Sequence, residues 1–290
     1  MKISTQTYAP DLKLGFMKGM KAIKDAGFDS IDLSLFRMDR DDNVFVLSSW
    51  KGEAEKRRDY IDSISLECTQ AHAPHIFEFG DEYVLNNIAL PRILRAMEIA
   101  KILGARLIVI HPLHHLDYYS YKDKIRSLNH DYMLKLAENA EKVGINVGFE
   151  NMWQHDKRRG GITYSVGGLV DDLIEDVDKI GSERIKVCLD VGHSALVGEE
   201  PEIAIRKLGA DRLKALHIHD NDYRGDDHTL PFLGKIHWEE VMKSLTDIGY
   251  DGEFTYEADS FLLPLPPSVY PFALKLMAEV AKYLVSIKEK

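Results

Sequence analysis

Eight short runs rich in β-branched and apolar residues alternate along this chain with eight stretches of helical periodicity. No other feature limits the fold as much. The strand-like runs fall at 3–8, 30–35, 65–71, 106–110, 146–149, 186–190, 213–219 and 252–256. Helical spacing occupies 12–26, the region near 53–63, then 82–103, 122–143, 168–180, the region near 202–208, 238–248 and 270–288. Gly27, Gly104 and Gly144 stand as stop signals after three of these helices. Such alternation predicts parallel βαβ units, and eight of them close into an α/β (β/α)8 TIM barrel. A doubly wound open sheet is the competing arrangement. It would want a glycine-rich phosphate turn after the first strand, where this chain has Tyr8-Ala9-Pro10. No low-complexity linker or composition break divides the chain, so one domain over residues 1–290 is expected.

In a barrel of this kind every strand ends on the same face, and function sits on the loops that follow the strands. The tips of the third to eighth strands carry His72, His111, Glu150, Asp190 with His193, His217 with His219, and Glu257. The first four tips follow one another at nearly equal steps, as one βα unit per step requires. Each residue has an ordinary reading when taken alone. Asp190 could cap the next helix, Glu150 could pair with Arg158, Glu257 could accept a backbone cap, and the histidines could be packed at strand ends. Together, three carboxylates and several imidazoles with no balancing lysine or arginine cannot all stay charged and unpaired. A divalent cation resolves that conflict. Two Glu, one Asp and one His offer mainly oxygen, which suits Mn²⁺, Mg²⁺ or Co²⁺ and allows Zn²⁺. His217 and His219 are two apart and share a face of their strand, so one can ligate while the other lines the pocket. The loop beyond them holds Arg224, Asp226 and His228, and Asp-x-His there offers a second metal locus with His193.

The formal net charge of −10, with no basic stripe beyond Lys56-Arg57-Arg58 and Lys157-Arg158-Arg159, argues against a nucleic-acid partner. Cys68 and Cys188 both lie in strand-like runs, as expected of a reduced cytoplasmic protein. The start, MKISTQTYAP, has no apolar signal core and no later stretch reaches membrane-spanning length, so a soluble, membrane-free protein is expected. Exposed barrel helices and the 264–267 proline loop point to a homo-oligomer.

The segments QAHAPH (70–75), IHPLHH (110–115), GFEN (148–151), CLDVGH (188–193), HIHDN (217–221), DDHTLPFLGKIHW (226–238) and TYEA (255–258) carry a resemblance. Over essentially its whole length the chain resembles the sugar phosphate isomerase/epimerase superfamily, the xylose-isomerase-like or AP-endonuclease-type barrels. That resemblance implies a metal held by Glu150, Asp190, His217 and Glu257. It makes Glu150 and Glu257 the catalytic pair, which moves a proton next to the carbonyl of an open-chain sugar through a metal-stabilised enediolate. It also implies that His193 and Arg224 hold substrate oxygens. On the residues alone, His219 lines the substrate pocket, and Trp153, with Tyr8 and the tyrosine-rich 118–121 loop, offers apolar walls or a lid. In the AP-endonuclease branch, additional metal ligands would fall on His72, His111, His193, Asp226 and His228, all of them present, so more than one ion is in view. A metal-dependent phosphodiesterase and a sugar or inosose dehydratase are therefore the alternatives to a sugar isomerase/epimerase.

Overall fold

The computed structural model describes residues 1–75, 82–114 and 116–288. Eight parallel strands form one sheet: β1 (Ile3–Gln6), β2 (Ser30–Ser34), β3 (Glu67–His72), β4 (Leu107–Ile110), β5 (Asn146–Glu150), β6 (Ile185–Asp190), β7 (Leu213–His217) and β8 (Phe254–Tyr256). Their spatial order is β8-β1-β2-β3-β4-β5-β6-β7. The remaining edges, β7 and β8, meet through one parallel bridge between Ile218 and Tyr256, where Ile218 N–H donates to Thr255 O at 2.8 Å and Glu257 N–H to Ile218 O at 3.1 Å. The sheet is thus a nearly closed barrel, as the alternation predicts.

Around it run α1 (Phe16–Ala26), α2 (Trp50–Ser63), α3 (Leu90–Leu103), α4 (Tyr118–Val143), α5 (Val170–Ile180), α6 (Pro201–Arg212), α7 (Trp238–Asp247) and α8 (Tyr270–Lys288). Among the described residues no helix is long and apolar enough to cross a membrane.

The main core lies between sheet and helices, where outward strand residues such as Ile31, Leu33, Phe149 and Leu189 meet the apolar faces of the helices. A second, small apolar cluster, Leu107, Val109, Cys188 and Ala215, lies on the β4, β6 and β7 strands. Gly148 on β5 belongs to this packing, since a Cβ there would come within 2.9 Å of Leu107 Cδ2 and 3.2 Å of Cys188 Cβ. One more step of two along β5, β6 and β7 reaches Glu150, Asp190 and His217, so the polar cup stands directly above an apolar floor. The β1–β3 side differs. There Gln6, Asp32 and Gln70 are buried and aligned in register across three neighbouring strands.

Several local expectations need correction. The first strand stops at Gln6, and Tyr8–Leu14 is already helical; Gly15, at φ +77°, then separates that turn from α1, so 12–26 is not one helix. The expected helix 82–103 is interrupted by a π-helical turn at Leu85–Ala89. Pro91, which has no N–H to give to the preceding turn, lies just beyond it. The polar loop after β5 contains an antiparallel hairpin pairing Trp153–His155 with Ile162–Tyr164. The turn after Asp190 is a short helix, Val191–Leu196.

Candidate active site

Strand geometry alone brings the tips together. Glu150, Asp190, His217 and His72 are the last residues of β5, β6, β7 and β3, while His111 and Glu257 follow β4 and β8 directly. Glu150, Asp190, His217 and Glu257, all buried, offer ligand atoms that lie within 4.8 Å of one another. His217 Nδ1 is 3.1 Å from both Glu150 Oε1 and Glu257 Oε2. His72 Nε2 and His111 Nε2 approach Glu150 Oε2 at 3.4 and 3.0 Å. On this side His72, His111 and His75 form a second compact group. Across the cup, His193, His219, Asp226 and His228 form a third. There His193 and His228 direct Nε2 at Asp226 Oδ2 from 3.5 and 3.2 Å. His219 links the groups: its Nε2 is 2.9 and 3.1 Å from the two Asp190 oxygens, and its ring stacks on His228 at 3.9 Å.

The ring orientations are fixed from behind. His72, His193 and His228 each donate Nδ1–H to a backbone carbonyl, those of Ala73 (2.8 Å), Asn151 (2.9 Å) and Glu257 (2.8 Å). A carbonyl can only accept, so Nδ1 carries the proton in each ring and Nε2 faces a carboxylate oxygen. In a neutral ring that arrangement sets a lone pair against a lone pair. It is favourable only with a proton or a cation between them.

Among the described residues every ion-pair partner of Glu150, Asp190, Asp226 and Glu257 is a histidine. Arg158, a candidate partner for Glu150, instead pairs with Asp156 at 3.3 Å and lies over the Tyr119 ring at 3.7 Å. Burial pushes the Glu150 carboxyl up, but His217 and His111 outweigh it and hold the group well below the usual carboxylate range. Glu257 is held low against burial by His217. Burial pulls His193 down, and Asp190 and Asp226 outweigh it, lifting the group to about 10. His228 is likewise raised, with Asp226 and Glu257 overcoming its burial.

The residues present fit a divalent cation. Glu150 Oε2, His219 Nδ1 and Asp226 Oδ1 are buried polar atoms with no hydrogen-bond partner, and the donor set is carboxylate and imidazole throughout.

Asp190 does two things at once. Its Oδ1 caps the 191–196 helix, accepting from His193 N–H at 2.7 Å, while the side chain stays in the cup. Gly192 clears the space behind it, since a Cβ there would overlap the His219 ring. Trp153 Nε1–H donates to Asp226 Oδ2 at 3.1 Å, which brings the indole to the third group. Arg224 is not brought in: it is exposed, and its backbone N–H donates to Asp222 Oδ1. Tyr118 is buried against Tyr164, so it is core rather than lid. His115 lies outside the described residues.

Several supporting residues have roles that the sequence alone does not reveal. Asn151 clamps two strand tips, its Oδ1 accepting from Asp190 N–H at 2.7 Å and its Nδ2–H donating to Asp190 O at 3.0 Å. Asp220, fully buried, accepts from the N–H groups of Asn221, Phe232 and Ile236 and from Trp238 Nε1–H, and so shapes the loop that delivers Asp226 and His228. Gln6 Nε2–H donates to Glu257 Oε1 at 2.7 Å. Phe36 packs tilted against His75, ring centroids 4.1 Å apart, and against Tyr8 at 5.4 Å, forming an aromatic wall on the β1–β2 side.

Residues 20–279 match the protein family described as xylose isomerase-like TIM barrel. Fructoselysine 3-epimerase of Escherichia coli O157:H7 is 24% identical over 250 residues, covering 86% of this chain and 76% of its own length. An uncharacterized protein of Methanocaldococcus jannaschii is 32% identical over 165 residues, or 56% of this chain and 54% of its own, so the chain spans only about half of that relative. Among solved structures, a D-tagatose 3-epimerase-like protein superposes with a TM-score of 0.79 at 23% identity, covering 100% of this chain and 98% of its own. The IolI protein with a binding zinc atom gives 0.73 at 19%, again with 100% and 98% coverage.

Proposed function

The chain belongs to the xylose isomerase-like TIM barrel family, and from that premise we propose that it is a divalent-metal-dependent sugar or sugar phosphate epimerase or isomerase. The observation that carries the reading is the set of imidazole nitrogens and carboxylate oxygens facing each other with, among the described residues, no lysine or arginine between them. Glu150, Asp190, His217 and Glu257 would hold the principal ion, with Mn²⁺, Mg²⁺, Co²⁺ or Zn²⁺ all compatible with their chemistry. Such a cation, when bound, acts as a Lewis acid on a sugar carbonyl and raises the acidity of the neighbouring C–H.

Glu150 and Glu257 are the two acid–base groups. They come from strand tips three positions apart around the barrel, so each can address a different face of a substrate between them. One takes the proton from the carbon next to the carbonyl, and the electron pair moves onto the carbonyl oxygen. The other delivers a proton to the opposite face of that carbon, which inverts it; delivery to the adjoining carbon interconverts aldose and ketose. Gln6 holds Glu257 Oε1 and leaves Oε2 toward the reacting atoms. His193 and His219 are placed to bind hydroxyl oxygens, and Trp153 with the Tyr8–Phe36 wall would cover the apolar faces of the sugar. Arg224 could join them only by a movement of its loop.

The test is Glu257→Gln assayed for solvent-proton exchange into ketoses. We expect turnover to fall by about 10²–10⁴-fold with the circular dichroism spectrum unchanged, and near-normal exchange would remove Glu257 from the mechanism.

A second reading, metal-dependent phosphodiester hydrolysis, draws on one observation: three ligand groups are contiguous and two of them meet at Glu150. Several zinc ions per chain together with cleavage of an abasic-site duplex would favour it. Dehydration of an inosose-like substrate is distinguished by loss of water from the product. We further infer a single domain over residues 1–290 and a cytoplasmic setting, in keeping with the two free cysteines. A homo-oligomer is in keeping with Phe272, Leu276 and Tyr283 exposed along α8.

A further inference from the structure

His217 differs from the other rings of the cup. His72, His193 and His228 lean on backbone carbonyls; His217 leans on a carboxylate. Its Nε2 is 3.3 Å from Asp32 Oδ2. Asp32 comes from β2, a strand that contributes nothing to the metal-ligand groups. We propose that Asp32 is a positioning residue which, aimed by Gln70, holds the proton of His217 on Nε2 and so presents Nδ1 as the ligand atom toward Glu150 and Glu257.

Asp32 is fully buried, and a carboxylate there is costly unless hydrogen-bond donors meet it. Two donors reach Oδ2: Gln70 Nε2–H at 2.8 Å and the His217 ring. A carboxylate cannot donate, so the proton shared with Asp32 sits on Nε2, and Nδ1, which also faces carboxylates, offers its lone pair once a cation takes the place of its own proton. That lone pair points between Glu150 Oε1 and Glu257 Oε2, each 3.1 Å away. The strand register explains how the arrangement is held. Asp32 lies level with Gln70 on β3 and with Gln6 on β1, so Gln70 steers Asp32 while Gln6 steers Glu257. A carboxylate behind a ligating imidazole also makes the ring a better donor to a cation, and losing such a partner typically costs about 10–100-fold in metal affinity. A purely structural polar residue in the barrel interior would leave affinity and tautomer untouched.

The inference rests on the cation-binding part of the preceding reading, and its experiment separates the two. Zn²⁺ affinity is measured by chelator competition for the wild-type chain, Asp32→Asn and Gln70→Leu, alongside Co²⁺ visible absorption and histidine ¹⁵N NMR. Asn keeps an acceptor oxygen but loses the charge. The expected result is Zn²⁺ binding about 10–100-fold weaker in Asp32→Asn and a smaller loss in Gln70→Leu. The Co²⁺ spectrum should shift in Asp32→Asn, and wild-type His217, identified by the signal missing in His217→Asn, should carry its proton on Nε2. Wild-type and Asp32→Asn affinities within twofold would overturn the role of Asp32 and leave the metal site standing. So would a wild-type His217 protonated on Nδ1 instead of Nε2, a readout that needs no folded Asp32 variant. A wild-type chain that takes up neither Zn²⁺ nor Co²⁺ would overturn the site and this inference together.

Discussion

At the scale of single residues, the cup balances its charge with protons on histidine, and this sets its response to pH. His193 is lifted from an ordinary value of 6.5 to about 10, burial notwithstanding, by Asp190 and Asp226. A group raised in this way stabilises the folded chain fully below its unfolded value, and that contribution is lost as pH climbs toward its folded value. Between about pH 6.5 and 10 the chelator-treated protein should therefore lose stability from this ring. A cation held by the His193, His219, Asp226 and His228 group must displace the same proton, so its affinity there should rise over the same interval. The Tm increase produced by Zn²⁺ or Mn²⁺ should accordingly grow with pH, as thermal melts with and without metal will show. A Tm increase that is flat or shrinks with pH would mean that His193 takes no part in metal uptake. Asp190 illustrates why a residue read singly can mislead. Helix cap and metal ligand are rival readings of one aspartate in the sequence, and the structure gives it both environments.

At the scale of elements, the strand tips were legible because a parallel barrel forces each tip onto one face, and the side-chain alternation then selects which residues point inward. The supporting layer was not legible. Asp32 within SIDLS and Gln70 within ECTQAH look like the solvent-facing positions of an ordinary half-buried strand. Only closure of the sheet turns that face into an interior. Short-range geometry hid the rest. The 153–155/162–164 hairpin lacks an apolar alternation strong enough to stand out, and a π-helical turn has no pattern distinct from its flanking helix. The loop from Asp220 to Lys235 reads as a solvated stretch, yet it carries three non-glycine residues in the left-handed region, Tyr223, His228 and Phe232, at φ +67°, +42° and +76°. Such backbone persists only where its surroundings over-determine it, and here the four hydrogen bonds to Asp220 supply the constraint. Asp220→Ala leaves those buried donors without their acceptor. It should destabilise the chain by more than about 3 kcal/mol in urea titration, and should cost the His228–Asp226 group its order before the barrel itself unfolds. A variant within about 1 kcal/mol of wild type, well inside the cost of one stranded donor, would show that the loop holds its shape by other means.

At the scale of the whole molecule, the chain is a nearly closed barrel in which one half of the interior is apolar and the other carries Gln6, Asp32 and Gln70. The weakest join in its wall lies between β7 and β8, where a single bridge stands in for a ladder. His217 ends one of those strands and Glu257 follows the other. An ion gripping both would rivet the two margins from within, so that loading the cup and shutting the cylinder become one event. Amide exchange at Ile218 and Glu257 should then slow by up to about a hundredfold with free cation at about 100 times its Kd, while the amides between β4 and β5 change far less. Equal slowing at both places would show that the join gains nothing special from the ion. The barrel would in that case tighten evenly, instead of being buckled at a single point along its circumference.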